Sequence, residues 1–274
     1  MEEIICHDIM GVLNELAPFS SAEGFDNVGL MVGAESKRVD KILICLDCTE
    51  KAIEKAEEVG ANLIISHHPL IFKGIKSLNA EGKGTESLCF RLCQKDISLI
   101  SSHTCLDVAR GGVADSLALN LGLSRVLPFG QSEKRGRFGE SLYFGRYGEL
   151  EREMGFEELI CYVKDRLGLS YLRAGAGFEN KRFRSMACLG GSGGSFLDEA
   201  LRLKEMGAID CFLTSEIKHS QWLDGIRNGL LILDCGHFET ERVVLHSLAN
   251  MLGERFQELE LFVFDEEEPP FIYR

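Results

Sequence analysis

Strand-like apolar runs alternate with amphipathic helical segments in the first third of the chain, and this alternation constrains the fold most. The residue pattern indicates strands at 41–47, 61–68 and 97–103, with helices between them at 50–60 and 86–96. Strands that are apolar almost throughout are typical of parallel sheets, in which helices cover both faces. We therefore predict an α/β fold with a mostly parallel sheet and helices on both faces.

The composition of the chain changes after Pro128. The segment 130–152 is rich in glycine and charged residues and contains short aromatic strand-like runs. Helical and strand-like segments then alternate to the end of the chain, and no internal repeat is detectable. This change predicts two α/β subdomains. Residues 1–128 plus 230–274 would form the domain that carries a metal site, and residues 129–229 would form the second subdomain.

Charge and hydropathy limit the classes of function. The net charge of −13 argues against broad binding of nucleic acid, which depends on clustered Lys and Arg. The longest apolar runs are far shorter than the roughly 20 residues that span a bilayer. The first ten residues, MEEIICHDIM, are acidic and lack the basic region of a signal peptide. We therefore expect a cytoplasmic protein with no membrane partner.

Ten cysteines are dispersed through apolar segments of this chain. In such positions cysteine behaves as a small hydrophobic residue, so a disulfide scaffold is not expected. Cys45 and Cys48 do form a C-x-x-C pattern, but it lies across a predicted strand, where residues three apart face opposite sides. Redox-active pairs of this kind lie at a helix N-terminus, so a structural interpretation is favoured.

Six side chains of the kinds found at metal centres lie in three stretches, each after an apolar strand-like run. They are His67, His68, His103, Asp107, His237 and Glu241. Ligands of open α/β sheets gather beyond the carboxyl ends of the strands, so we expect these stretches to meet. Their number exceeds the need of one closed zinc site and suits two divalent ions with open positions for water. Nitrogen and oxygen donors without thiolate suit Zn, Fe or Mn.

Each motif taken alone also has a structural explanation. His67 and His68 could be a buried or capping pair. Asp107 could be a turn or helix N-cap residue. Glu241 lies four residues after His237, on one face of a first helical turn, where a carboxylate also offsets the helix dipole. The metal hypothesis therefore depends on the three stretches acting together.

Two other features have both a functional and a structural explanation. The glycine-rich segment 190–195, between a predicted strand and helix, could offer backbone N–H groups to a phosphate. It lacks the lysine of a P-loop, so a tight turn is favoured. Asp26 and Asn27 could contact the ligands of a metal site without binding the metal, although the tendency of Asp and Asn to form turns explains them equally well.

Five segments carry a resemblance to a known family. They are AEGFDNVGLMVG (22–33), LIISHHPLIF (63–72), SHTCLDVARGGVADSLA (102–118), LTSEIKHSQ (213–221) and GHFETE (236–241). In this order they resemble the GTP cyclohydrolase I type 2-like family, also called Nif-three-like. The resemblance covers nearly the whole chain, and its motifs are specific when they occur together. The chain is similar to the short form, without the large inserted domain of some members.

The resemblance implies a dinuclear metal site made by His67, His68, Asp107, His237 and Glu241, with Asp107 and Glu241 bridging the ions. It also implies self-association into a toroidal homohexamer whose sites face an internal cavity. The sequence keeps all five of these residues.

Two positions depart from the family pattern. Phe25 stands where the family often has Trp, which is a conservative change. The family's paired histidines appear here as His219 followed by Ser220, so the second histidine is missing. A role of that second histidine in substrate handling is therefore in doubt.

These observations predict a metal-dependent hydrolase. Two ions would lower the pKa of a bridging water and polarise the electrophile of a small substrate. We assign catalytic roles to Asp107 and Glu241, which hold the ions, and to His103, which would move protons or orient Asp107. The family name implies a nucleotide-like substrate and a GTP cyclohydrolase reaction. The alternative is a non-catalytic oligomer that binds, stores or delivers metal, or a regulatory scaffold.

Overall fold

A computed structural model describes residues 3–271 of the chain. These residues form two compact units. The first comprises residues 3–110, 136–138 and 245–271, and the second comprises residues 111–135 and 139–244. The predicted subdomain boundaries lie elsewhere, after residues 128 and 229. Which segments fold independently therefore stays a prediction.

Within residues 3–271 there are ten α-helices and eleven β-strands. The helices are α1 (Cys6–Leu16), α2 (Glu50–Val59), α3 (Thr85–Gln94), α4 (Thr104–Val108), α5 (Val113–Asn120), α6 (Phe156–Leu167), α7 (Leu197–Glu205), α8 (His219–Arg227), α9 (His237–Glu241) and α10 (Val244–Arg255). The strands are β1 (Gly29–Val32), β2 (Lys41–Cys45), β3 (Leu63–Ser66), β4 (Ser98–Ser101), β5 (Ser124–Arg135), β6 (Ser141–Gly155), β7 (Arg173–Ala174), β8 (Arg182–Leu189), β9 (Cys211–Thr214), β10 (Leu231–Asp234) and β11 (Glu260–Val263). This mixture confirms the predicted α/β class.

The sheet of the first unit has the strand order β1-β4-β3-β2-β11. Four of its strands run parallel, and only the edge strand β1 is antiparallel to its neighbour. Strands β3 and β4 are buried along their whole length, as the near-continuous apolar runs around them predict. Ser66 lies opposite Ser101 in the register of these two strands. The residues that follow them, His67 and Ser102, therefore leave the sheet at the same edge.

Helix α2 shows how local sequence sets an element. Its N-cap Thr49 accepts a hydrogen bond from the backbone N–H of Ala52 at 3.2 Å, which satisfies one of the donors that a helix start leaves open. The helix ends at Gly60, whose φ of 73° lies in the left-handed region that glycine adopts without steric cost. The predicted helix at 50–60 is thereby confirmed to within one residue.

The sheet of the second unit has the order β5-β6-β8-β9-β10-β7 and is mixed. Pairs β8/β9 and β9/β10 are parallel, whereas β5/β6, β6/β8 and β10/β7 are antiparallel. The expectation of a mostly parallel sheet is therefore met in the first unit and corrected in the second. Connection length explains part of this pattern, because β5 and β6 are joined directly as a hairpin, whereas helices join the parallel strands β8, β9 and β10.

Each unit contains its own apolar core. The first packs α2 and α3 on the sheet around buried residues such as Ile53, Ile64 and Leu92. The second unit has two buried clusters, one around Met186 and the other around Phe212. None of the helices among residues 3–271 is long and apolar enough to cross a membrane.

Candidate metal centre

His67 is the most buried of the predicted site residues. It follows β3 directly, its side chain is inaccessible to solvent, and its backbone N–H donates to the carbonyl of Cys45 at 3.0 Å. Its ring Nδ1 lies 3.0 Å from the carbonyl oxygen of Ser102. Because a carbonyl oxygen only accepts hydrogen bonds, Nδ1 carries the proton. Nε2 is then the nitrogen with the lone pair that a metal ion requires.

His68 is oriented by a carboxylate at the end of the neighbouring strand. Its Nδ1 lies 2.9 Å from Oδ1 of Asp47. The backbone at that position is fixed by Glu267, whose two oxygens accept the N–H groups of Leu46 at 2.7 Å and Asp47 at 2.8 Å. Burial raises the pKa of Glu267, and these two backbone hydrogen bonds oppose that rise only partly. Glu267 thus holds the strand end that presents Asp47 to His68.

His103 has a buried carboxylate as its partner. It precedes α4, and its Nδ1 lies 2.8 Å from Oδ1 of Asp26. The other oxygen of Asp26 accepts from the backbone N–H of Thr104 at 3.0 Å and from its hydroxyl at 2.5 Å. Burial raises the pKa of Asp26, but the hydrogen bonds from His103 and Thr104 and the charge of His103 outweigh it and lower the pKa to about 2. Asp26 is therefore ionised at neutral pH.

The three imidazoles of the first unit lie together. Their ring centroids are 5.0 to 5.4 Å apart, and one nitrogen of each ring lies within 4.8 Å of one nitrogen of the others. In every case Nδ1 faces an oxygen acceptor, which leaves the lone pair on Nε2. This is the arrangement in which metal-binding histidines are held by an outer hydrogen-bond partner. The cluster could hold a metal ion.

Asp107 supplies a carboxylate beside this cluster. It lies on α4, one helical turn after His103, and its Oδ1 is 3.3 Å from Nε2 of His67. Oδ1 is buried and has no hydrogen-bond partner among the described residues. A buried carboxylate oxygen of this kind is costly unless a cation or a donor faces it. The donor set of the first unit therefore fits a divalent ion.

The second unit contains an imidazole and carboxylate pair of its own. His237 and Glu241 occupy the first and last positions of α9, and Nε2 of His237 lies 3.0 Å from Oε2 of Glu241. Nδ1 of His237 lies 3.0 Å from Oε1 of Glu216. Glu216 has a φ of 57°, a conformation that is uncommon outside glycine and is often found at functional sites. The predicted i, i+4 pair is therefore formed, with a carboxylate behind it.

The glycine-rich segment 190–195 supports Glu241 within the second unit. Gly191 has a φ of 65°, and a Cβ at this position would overlap Oε1 of Glu241. The N–H groups of Gly191 and Gly193 already donate to Thr240 and Thr214, both at 3.0 Å. Because these two donors are engaged within the protein, they are not available to a phosphate, which favours the interpretation of the segment as a tight turn beside Glu241.

Sequence reasoning missed two carboxylates. Asp47 ends the predicted strand 41–47, and the strand-end argument that identified His67 could have identified it too. Glu216 follows β9 in the same way. Asp47 lies within no pattern of histidines, so the sequence carried no sign of its contact with an imidazole. Glu216 lies three residues before His219 in the segment 213–221, but that pattern does not indicate its contact with His237. His219 begins α8 and is exposed.

Replacing Asp26 with asparagine should lower the free energy of unfolding by about 2 kcal/mol at pH 7, because the folded-state pKa of about 2 lies below the unfolded value of 3.8. A depressed carboxyl pKa stabilises the fold above the unfolded pKa. The difference between wild type and variant should therefore be present at neutral pH and shrink as pH falls from about 5 toward 2. Urea unfolding at several pH values measures it, and a difference that grows as pH falls through this acidic range would contradict the assignment.

Replacing Asp47 with alanine should weaken metal binding by about 10- to 100-fold, the usual loss when the outer partner of a metal-bound histidine is removed. Glu35→Ala is a matched control, because Glu35 contacts the exposed His7 at 3.2 Å in a comparable pair. Competition with a chelator measures both affinities. Equal affinities for the two variants would show that Asp47 does not support the centre.

Comparison with known proteins agrees with the motifs. Residues 4–270 match the model of the family described as Duf34/NIF3 (NGG1p interacting factor 3). A Clostridium perfringens protein named GTP cyclohydrolase 1 type 2 homolog is 37% identical over 270 residues, which cover 97% of this chain and 98% of that protein. The crystal structure of a Staphylococcus aureus hypothetical protein superimposes with a TM-score of 0.89 at 30% identity, covering 100% of both chains.

A longer relative bears on the predicted short form. A Staphylococcus aureus protein, also named GTP cyclohydrolase 1 type 2 homolog, is 30% identical over 348 aligned positions, which cover 91% of this chain and 93% of that protein. The alignment is longer than the 274 residues of this chain. That relative therefore contains residues that have no counterpart here.

Proposed function

Because this chain belongs to the Duf34/NIF3 family, we propose that it is a hydrolase that uses two divalent metal ions to act on a small, nucleotide-like substrate. The observation that carries the proposal is the buried Oδ1 of Asp107, which lies 3.3 Å from Nε2 of His67 in a group of pre-oriented imidazoles. The curated relatives named GTP cyclohydrolase 1 type 2 homolog favour hydrolysis of a purine nucleotide as the first reaction to test.

We propose His67, His68, Asp107, His237 and Glu241 as the ligands of both ions. The first unit offers two of these imidazoles and one carboxylate, and the second unit offers one of each. Neither group alone has enough donors for two ions, which each need three or more protein ligands or a shared carboxylate. The donor types suit Zn, Fe or Mn.

When bound, the two ions would supply Lewis acidity toward a water molecule and toward the electrophilic atom of the substrate. Asp107 and Glu241 would hold them through carboxylate oxygens, which can bridge two ions where imidazole cannot. His103 is left outside the ligand set. Its ring keeps Nδ1 on Asp26 and presents Nε2 as a proton acceptor, so it would take a proton during attack and return it to the leaving group.

Two further properties are part of the proposal. Each of the ten cysteines lies within the described residues and is a free thiol, which supports a reducing, cytoplasmic environment. The family resemblance supports assembly into a toroidal homohexamer. Light scattering on purified protein would measure the mass of the assembly, and a monomeric mass at micromolar concentration would refute the hexamer.

Turnover assays with metal-loaded protein test the proposed reaction. The substrates are GTP, phosphoesters and cyclic amides, each assayed with Zn, Fe and Mn. We expect saturable turnover of at least one class, and its loss in Asp107→Ala, because that variant lacks a carboxylate that holds the ions. Elemental analysis should give about two metal ions per chain in wild type.

The outcomes of these assays distinguish a hydrolase from a non-catalytic metal-binding protein. A metal content well below two ions per chain would refute the dinuclear centre. Two bound ions without turnover of any of these substrates, with any of the three metals, would instead favour a protein that stores or delivers metal, since that role needs ligands but no reacting substrate.

A further inference from the structure

Both oxygens of the Asp26 carboxylate accept hydrogen bonds, and the loop that carries Asp26 is also held by hydrogen bonds that do not involve this carboxylate. Its side chain is fully shielded from solvent. Oδ2 accepts both groups of Thr104, while Oδ1 faces Nδ1 of His103 at 2.8 Å and accepts the backbone N–H of Asn27 at 2.7 Å. The two oxygens thus have separate partners, and one of them is a ring nitrogen.

We propose that Asp26 is a positioning residue for His103, whose Nδ1–H it accepts so that the ring is fixed in the tautomer with its lone pair on Nε2. The role of His103 in proton transfer rests on the proposed function. The orientation of the ring does not depend on it, because that orientation follows from the contact between the two side chains.

A purely structural role for the Asp26–His103 contact explains less. The loop that carries Asp26 is fixed by other bonds, since the backbone N–H of Glu23 donates to Thr104 Oγ1 at 2.9 Å and the side chain of Asn27 donates to the carbonyl of Ile71 at 2.6 Å. Together with the two bonds from Thr104 to Oδ2, these contacts hold both ends of the loop. The additional bond from His103 to Asp26 determines the orientation of the His103 ring.

The chemical consequence concerns where the proton of His103 resides. An ionised carboxylate at Nδ1 keeps the proton on that nitrogen. Asp26 is ionised at neutral pH because, although burial raises its pKa, its hydrogen bonds with His103 and Thr104 lower it to about 2. The lone pair of the ring therefore stays on Nε2, the nitrogen opposite Asp26.

Nuclear magnetic resonance of nitrogen-labelled histidine tests the tautomer without any substrate. Full-length protein expressed in zinc-supplemented medium is recorded at alkaline pH, and the His103 signal is assigned by its absence from His103→Gln. We expect the proton on Nδ1 in wild type. In Asp26→Ala we expect it to move to Nε2 or to divide between the two nitrogens. Thr104→Val is the matched control, because at Asp26 it removes a hydrogen bond to Oδ2 and none to Oδ1, although it also removes the acceptor of the Glu23 N–H. It should therefore leave the proton of His103 on Nδ1.

Two results would overturn the proposal: a proton on Nε2 in wild type, or an Asp26→Ala spectrum identical to that of wild type. If Asp26→Ala does not fold, the wild-type and Thr104→Val spectra still test the proposal. A proton on Nε2 of His103 in either protein would show that Oδ1 of Asp26 does not hold the proton on Nδ1. A metal-bound Nε2 signal would make His103 a ligand, which contradicts its proton-transfer role in the proposed function, whereas a proton on Nδ1 in the same spectrum would still support the positioning by Asp26.

Kinetics provide a second readout with whichever substrate shows turnover. Asp26→Asn should lower kcat by about 10- to 100-fold with KM unchanged, and it should cause no further loss in a His103→Ala background. Additive losses would show that Asp26 does not act through His103. Absence of all turnover would count against the proposed function, whereas the position of the proton on His103 would still decide the role of Asp26.

Discussion

A variant with alanine in place of His67 should bind metal far more weakly than wild type, by more than the about 10- to 100-fold loss that follows removal of an outer hydrogen-bond partner. The reason is its place in the first unit. His67 is completely buried, its Nδ1 is fixed by the carbonyl of Ser102, and its Nε2 lies 3.3 Å from the unsatisfied oxygen of Asp107. Removing the ring takes away a metal donor and also removes the imidazole nitrogen that faces the buried oxygen of Asp107.

The matched control is His246→Ala. His246 lies on α10, is largely exposed and contacts Asp265 at 2.8 Å, so its removal also breaks an imidazole–carboxylate pair. We expect its metal content to equal that of wild type. Inductively coupled plasma analysis after dialysis and chelator competition measure both variants, and circular dichroism confirms that they fold. Retention of wild-type metal content by His67→Ala would remove His67 from the ligand set.

The first unit was predictable from sequence because its signals are local. Buried parallel strands are apolar throughout, and a left-handed glycine such as Gly60 marks the end of a helix. The mixed sheet of the second unit was not predictable in the same way. The strands β5 and β6 contain glycine and charged residues and lack a clean alternation, so their pairing depends on contacts distant in sequence.

The candidate site was likewise predictable from the sequence only in part. Strand-end position identified His67, His68 and His103, because parallel neighbours in register bring the following residues to one edge. The same argument could have placed Asp47 at this edge, but it does not show which carboxylate contacts which ring. Asp26 contacts His103 across 77 residues of sequence, and Asp47 contacts His68 across 21. Such pairs depend on which side chains the tertiary fold brings within hydrogen-bond distance.

Replacing Gly191 with alanine should lower the free energy of unfolding and also weaken metal binding. The residue has a φ of 65°, where a side chain costs about 1–2 kcal/mol. A Cβ there would overlap Oε1 of Glu241 and lie 3.1 Å from its Cδ. Glu241 is almost fully buried and its other oxygen lies 3.0 Å from Nε2 of His237, so it has little room to move aside. The proposed ligand must then leave its position.

Gly229→Ala separates the two effects. Gly229 has the same φ of 65°, but a Cβ there would meet no atom within 4 Å. Both variants should lose the about 1–2 kcal/mol due to the backbone, measured by urea unfolding. Only Gly191→Ala should lose metal affinity, measured by chelator competition, because only its methyl group displaces a carboxylate. Equal metal affinities in the two variants would mean that Glu241 does not need this position to bind an ion, and the second unit's share of the metal centre would have to be reassigned.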